Sequence, residues 1–467
     1  MRYELLIDGQ LSCGEGSIGV IDPATGEVFE HCARALPEHL ELAVAAALRA
    51  FDGWSRESLA SRQSLLGAIA DVIENNAQPL ANLLTREQGK PLADSIWEVN
   101  GAAYIFRYYA NLDIPVQVLE DSPQRRVEQH QMPLGVVGAI LPWNFPMFMA
   151  AAKIAPTLLA GNTLVLKPAP STPLTTLHLG ALIKDLVPAG VLNLIADLND
   201  LGPLLTAHPD IRKIGFTGST QTGLKVMGSV VPTLKRLTLE LGGNDAAIVL
   251  EDCDPRVVAT KLFKAAFSNN GQICVALKRL YVPASLYDAV CGELAAIANR
   301  SVVGPGLEQG TELGPIQNQA QYERVLSLIE SARQDGTIIA GGQRLDLPGY
   351  FVRPTIVRDI NEGSALVDEE QFGPVLPVIR YQSLDQAIDS ANNTQFGLGA
   401  SVWSKDVAQA YAVAERLDAG TVWINNHGDV GPSIPFGGSK MSGVGAEYAQ
   451  EGIAELTQLK IINIAKS

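Results

Sequence analysis

Cysteine is scarce in this chain: Cys13, Cys32, Cys253, Cys274 and Cys291 are the only five in 467 residues. They are scattered, odd in number and without C-x-x-C spacing. That pattern excludes a disulfide framework and reads as free thiols in a reducing compartment. The six histidines stand at no metal-ligand spacing with cysteines or carboxylates, so no metal site is expected. No uncharged apolar run reaches the roughly 18 residues that a membrane span needs. The first residues, Met1-Arg2-Tyr3-Glu4-Leu5-Leu6-Ile7-Asp8, do not follow a signal-peptide pattern. A cytoplasmic protein without a membrane partner is the expectation. Positive charge is also short, with 35 Lys and Arg against 50 Asp and Glu and a formal net charge of −15. Phosphate backbones would repel such a chain, which argues against a nucleic-acid partner. Low-complexity tracts, charge blocks and repeats of roughly 20–50 residues are missing as well, against a disordered protein or a solenoid.

What is present is material for a large core. Hydrophobic residues make up 47% and charged residues 18% of the sequence. The length predicts two or three domains. Residues 1–30 read as short strands around turns, with Asp22-Pro23-Ala24-Thr25-Gly26 as a tight turn. Residues 37 to about 110 read as helical: Leu42, Ala46, Leu48 and Phe51 recur near the 3.6 period, as do Leu65, Ile69, Val72 and Ile73. From residue 135 apolar strands alternate with helices. Val136–Leu141, Thr163–Leu166, Leu192–Ile195, Lys213–Phe216 and Leu237–Leu239 are the strands. The alternation predicts α/β architecture with a doubly wound parallel sheet, whose ligands bind at the carboxyl ends of the strands. A second α/β run follows from about 246 to 434. Two strand-like pieces, 117–134 and 450–467, are left over and invite pairing with another subunit.

Cys274 in Gly271-Gln272-Ile273-Cys274 and Glu240 in Leu239-Glu240-Leu241-Gly242-Gly243 are the candidate reactive pair. A thiol is nucleophilic as thiolate, and a carboxylate held nearby can take its proton or later activate water. The bland alternatives are a small core hydrophobe for Cys274 and a solvated surface acid for Glu240. Apolar residues and glycines flank Glu240, a poor setting for a solvated acid. Asn144, in Pro142-Trp143-Asn144-Phe145-Pro146, ends the first strand of the series, where an amide could donate to an oxyanion. Lys167-Pro168 ends the second strand, where an ammonium could meet a cofactor or simply face solvent. Phe216-Thr217-Gly218-Ser219-Thr220-Gln221-Thr222-Gly223 joins a strand to a helix. It could cradle a pyrophosphate, or be a plain turn with an N-cap serine. In Glu369-Glu370-Gln371-Phe372-Gly373-Pro374 a carboxylate, which can accept from ribose hydroxyls, precedes a turn. Pro435–Gly443 is a glycine-rich loop, expected to be structural.

Together these segments resemble the aldehyde dehydrogenase superfamily, nearly end to end from Ile21–Gly26 to Ser442–Gly445. The resemblance implies a Rossmann-like dinucleotide-binding domain at 1–116 and 135–245 and a catalytic domain at 246–434. It also implies a small β oligomerisation element at 117–134 and 450–467. NAD or NADP is the implied cofactor, a small aldehyde the substrate, and a homodimer or homotetramer the assembly. By position, Cys274 is the nucleophile, Asn144 and the Cys274 backbone N–H the oxyanion hole, and Glu240 the base for the deacylating water. Lys153 lies near a proton-exit route. Lys167, Trp143, Ser219, Gly218, Gly223 and Gly242 would line the cofactor's adenosine and pyrophosphate, and Glu370 and Phe372 its nicotinamide ribose and ring. Phe145, Phe148, Met149, Ile273 and Val275 would line an apolar aldehyde tunnel.

Two departures stand out. Many NAD-preferring members carry Glu three residues after the lysine that matches Lys167. Here that position is Pro170, which has neither acceptor nor charge and predicts tolerance of NADP. Ala446 stands where many members have Arg. Two other readings remain at this point: a CoA-acylating relative, against which Glu240 argues, and a catalytically silent structural relative, against which the joint presence of Cys274, Glu240 and Asn144 argues.

Overall fold

The computed structural model describes residues 3–466. The N-terminal turn forms as its residues dictate: the Asp22 side chain accepts the Ala24 N–H at 2.9 Å, and its carbonyl accepts those of Thr25 and Gly26. Four helices follow, Pro37–Trp54, Leu59–Asn75, Ala77–Gln88 and Leu92–Tyr109. The first buries a different stripe from the one its leucines suggest. Leu42 and Leu48 are 59% and 48% exposed, while Leu40, Ala43, Val44, Ala47 and Trp54 face the core. The reason is close approach. The Ala47 carbonyl accepts the Thr163 hydroxyl at 3.0 Å, and a Cβ on Gly190 would stand 2.6 Å from the Ala46 carbonyl oxygen. Alanines fit that gap and leucines do not.

The first sheet is 8-stranded. Its five parallel strands lie in the order Leu192–Leu194, Thr163–Lys167, Val136–Ile140, Ile211–Thr217 and Arg236–Glu240. In chain order this is third, second, first, fourth, fifth, the doubly wound arrangement. The winding reverses between Val136–Ile140 and Ile211–Thr217, and a crevice opens there past the strand ends. Antiparallel pieces extend both edges: Leu5–Ile7 and Gln10–Ser12 at one, Gly443–Val444 at the other.

The second sheet is 7-stranded, with Thr355–Arg358, Val375–Tyr381, Leu277–Pro283, Asp245–Val249, Gly399–Trp403 and Thr421–Ile424 parallel and Thr337–Ala340 antiparallel at one edge. Helices cover both faces, so successive residues enter separate cores: Ala246 and Ile248 pack into one, Ala247 and Val249 into the other. That is why these strands read as continuous apolar runs. A 3-stranded antiparallel sheet joins Gln117–Asp121, Arg125–Pro133 and Thr457–Ala465. No described helix is long and apolar enough to cross a membrane, and none of the five cysteines is in a disulfide.

Candidate active site

Cys274 ends a left-handed turn. Asn269, Asn270 and Gly271 all have positive φ, at 49°, 57° and 73°. Asparagine and glycine are the residues that tolerate this region. Gly271 is also fixed sterically, since a Cβ there would meet the Gly373 carbonyl oxygen at 2.3 Å. The turn is pinned by Gln272, whose amide donates to the Asn269 carbonyl at 2.9 Å and accepts the Gln317 N–H at 2.8 Å. The Cys274 thiol is half-buried and pushed up to about 12, by burial first; Lys278 pulls it down, and Glu370, Asp245 and Glu240 push it further up.

Asn144 meets this turn directly. Its Nδ2 donates to the Gln272 carbonyl at 2.9 Å, and its own carbonyl accepts from Asn269 Nδ2 at 3.1 Å. An amide nitrogen carries two N–H groups, and the second remains for a substrate oxygen. Behind the loop lies an ion pair with no signature in the sequence. Lys90 Nζ donates to the Asn144 carbonyl at 2.9 Å, pairs with Glu98 at 2.5 Å and sits 3.7 Å over the Phe145 ring. Glu98 in turn accepts the Met147 and Phe148 N–H groups at 2.9 and 3.2 Å, at the start of the helix Pro146–Leu159. Both charges are fully buried and fully used.

Glu240 is 6% exposed and neither carboxyl oxygen has a hydrogen-bond partner. It ends the strand Arg236–Glu240, its carbonyl taking the Gly218 N–H at 3.0 Å. Burial raises its pKa, opposed by the charge of Lys153. Lys153 is pushed down by burial against the pull of Glu240, and its ammonium is closely ion-paired with Glu447. Lys153, Glu447, Lys213 and Glu455 line a small cavity of about 30 Å³ behind Glu240, with Lys213 and Glu455 paired at 3.2 Å. Glu447 and Glu455 carry no motif signature: Glu447 follows the glycine-rich loop, and Glu455 falls in 450–467, expected as a β oligomerisation segment but helical over Ala449–Glu455. Ala446 lines the same cavity.

Among the residues expected to meet a cofactor, Trp143, Lys167, Gly218 and Gly242 stand at or just past the carboxyl ends of strands of the first sheet. Ser219 caps the helix Thr220–Val230, accepting the Thr222 N–H at 3.3 Å. The plain-turn reading of its hydroxyl thus holds, while the helix start still faces the crevice. Gly223 lets that helix approach Leu241, where a Cβ would stand at 2.5 Å, and a Cβ on Gly218 would meet the Phe216 ring at 2.6 Å. The Trp143 ring packs edge-on against Phe372, 5.3 Å between centroids, and Phe372 is held at a φ of 46°. Glu370 lies over Gly242 and Gly243: Oε1 accepts the Gly243 N–H at 3.0 Å, and a Cβ on Gly242 would meet Oε2 at 2.3 Å. Lys167 is buried and paired with Asp197 at 2.6 Å, a carboxylate that the Lys-Pro-Ala-Pro motif could not reveal because it comes from the next strand's loop. A glycine turn, a helix start, an ammonium and a seated carboxylate around this crevice suit a dinucleotide.

A cavity of about 720 Å³ opens beside the nucleophile turn. Phe145, Ile273 and Val275 line it, as expected. Phe148 adjoins it by stacking at 6.1 Å on Trp97, which also lines it; Met149 is not among the lining residues. Asp94, Lys261, Lys264 and Asp429 form a charged rim. Among the described residues no group of three His, Cys, Asp or Glu side chains is placed to hold a metal ion.

Comparison with known proteins agrees with this geometry. The model of the aldehyde dehydrogenase family matches residues 11–462. The phenylacetaldehyde dehydrogenase of Pseudomonas fluorescens is 39% identical, over 100% of this chain and 96% of its own length. The NAD+ complex of an aldehyde dehydrogenase from Bacillus cereus superposes with a TM-score of 0.98 at 35% identity, covering 100% of this chain and 97% of that one. Betaine aldehyde dehydrogenase from Staphylococcus aureus in complex with NAD+ gives 0.96 at 32%, over 100% and 95%. Matched along its length by the family model and by relatives and solved structures of that kind, the chain belongs to the aldehyde dehydrogenase family and oxidises aldehydes to acids with a nicotinamide cofactor.

Proposed function

We propose that Cys274, Asn144 and Glu240 carry this oxidation. Cys274 ionises, its proton passing to solvent, and the thiolate adds to the aldehyde carbon. The resulting oxyanion accepts the free Asn144 N–H and the Cys274 backbone N–H. The nicotinamide cofactor, held by Gly218, Gly223, Gly242, Lys167, Trp143, Ser219, Glu370 and Phe372, supplies the hydride acceptor. Loss of hydride leaves a thioester on Cys274. Glu240 then takes a proton from water, whose oxygen displaces the thiolate and releases the acid. Protons leave Glu240 through Lys153 toward Glu447. The observation that carries the reading is the 2.9 Å bond from the Asn144 amide to Gln272, two residues before Cys274, with the unpartnered Glu240 carboxylate near enough for its charge to act on the Cys274 thiol. Cys274→Ala is expected to abolish NADH formation, and Glu240→Gln to keep the first burst and slow the steady rate. Substantial steady turnover by the alanine variant would overturn the assignment.

The apolar throat favours an uncharged aliphatic or aromatic aldehyde, in keeping with the phenylacetaldehyde dehydrogenase among its relatives. Asp197 alters the cofactor expectation drawn from Pro170. By pairing with Lys167 it offsets the charge of that ammonium toward a 2′-phosphate, which favours NAD over NADP. Ratios of kcat/KM for the two cofactors, in the natural protein and in Asp197→Asn, test this. An NADP preference in the natural protein would remove it. The domain division at 1–116 with 135–245, 246–434, and 117–134 with 450–467 is supported by the separate 8-, 7- and 3-stranded sheets, although Asp245 pairs into the second sheet and Gly443–Val444 into the first. The exposed edge strand Thr457–Ala465 supports a homodimer or a dimer of dimers, and the scarcity of cysteine supports a cytoplasmic location.

A further inference from the structure

Lys278 is a charged residue that none of these steps uses. It sits in the strand Leu277–Pro283 and is 2% exposed. Burying an ammonium costs several kcal/mol unless it is matched by charge and hydrogen bonds. The matching here comes from the site itself. The ammonium donates to the Cys274 carbonyl, pairs with Glu370 Oε1 at 3.2 Å and stands 5.9 Å from the Phe372 ring centroid. Glu370 Oε1 is thus shared between Lys278 and the Gly243 N–H, which fixes the carboxylate over Gly242. One buried cation therefore ties together the nucleophile's backbone, a cofactor-side carboxylate and a cofactor-side ring.

Its neighbours are mostly anionic. Asp245, on the adjoining strand, is pushed up by burial and pulled down by Lys278. Glu370 and Glu240 both act on the Cys274 thiol in the direction that keeps it protonated, as Asp245 does. His427, 3.8 Å from Asp245, is held neutral by burial and bridges Ser401 Oγ and the Val275 carbonyl. Arg279 spends its guanidinium on the carbonyls of Asn244, Ser390 and Ala391 and on the Tyr281 hydroxyl. That leaves Lys278 as the cation acting on the thiol.

We propose that Lys278 is a positioning residue of the active site: anchored to the Cys274 carbonyl, it seats Glu370 and supplies the positive charge against which the Cys274 thiol ionises. The proposal rests on Cys274 being the nucleophile, and its test keeps the two separate. Cofactor-free enzyme is alkylated with iodoacetamide across a pH series. The Cys274 thiolate forms the S–C bond and iodide leaves, and the modified Cys274 peptide is quantified by mass. Lys278→Met is expected to move the profile to higher pH and to slow alkylation at fixed pH by about tenfold for every pH step of one that the profile moves. Lys278→Arg, which keeps the charge, retains most of the natural rate. Glu370→Gln, which removes an opposing charge, moves the profile the other way.

Superimposable profiles for Lys278→Met and the natural enzyme would sink the proposal. So would equal impairment of the Met and Arg variants, which marks a packing role. If Lys278→Met does not fold, the Glu370→Gln profile decides alone, an unmoved curve counting against the idea. Loss of the nucleophile assignment itself looks different: full alkylation of Cys274 would then leave NADH formation intact.

Discussion

Glu240 combines two properties that a water-activating base needs. It is held away from solvent with both oxygens unpartnered, and burial lifts its carboxyl to about 8. A base works only when deprotonated, so a raised pKa moves its working range upward. Steady turnover, if limited by deacylation, should therefore climb with pH, by up to about tenfold per pH unit below about 8, and level off above it. Glu240→Gln should flatten that limb. A pH-independent rate in the natural enzyme would mean that another step limits turnover. The glycine of the nucleophile turn permits a second test. Gly271→Ala adds a Cβ 2.3 Å from the Gly373 carbonyl oxygen at a φ of 73°. Its expected effect is loss of most activity with the nucleophile still present, checked by NADH formation alongside thiol titration.

At the scale of elements, the loop bearing Asn144 is held from behind by Lys90 and Glu98. Lys90→Met would leave Glu98 buried with two backbone N–H groups and no countercharge, a change that costs about 3–5 kcal/mol. Urea unfolding should register that loss, and the oxyanion contact should weaken with it. A midpoint unchanged from the natural protein would show that the pair is dispensable. Lys90 and Glu98 also mark where sequence reading stops. The strands, the helix Pro146–Leu159 and the glycine turn were legible, because each has a local signature in period or motif, and motif alone singles out Cys274, Asn144 and Glu240 as candidates. A buried ion pair between Gly89-Lys90-Pro91 and the middle of Leu92–Tyr109 has none: its meaning arises only when the chain folds two separate segments onto one loop. The same holds for Asp197 beside Lys167 and for Lys278 beside Glu370. Periodicity found the helix Pro37–Trp54, but Leu42 and Leu48 of its apolar repeat are exposed, because a close-packed contact prefers alanine where hydropathy alone prefers leucine.

For the whole molecule, the strand Thr457–Ala465 pairs along one edge with Arg125–Pro133 and exposes Leu459, Ile461, Ile462 and Ile464 on its faces. A long apolar edge of this kind calls for a covering partner. Ile462→Lys combined with Ile464→Asp should shift the protein toward smaller species in light scattering after size exclusion. An unchanged mass would place the subunit contact elsewhere. The strand is also not isolated from the chemistry. The stretch from Gly443 to Ala465 first adds an edge to the cofactor sheet and then carries Glu447 to Lys153 and Glu455 to Lys213. Only after that does it run out as the exposed strand. If a second copy covers that strand, diluting the enzyme should slacken the ribbon, let the carboxylate at 447 drift from its ammonium and lower the specific activity.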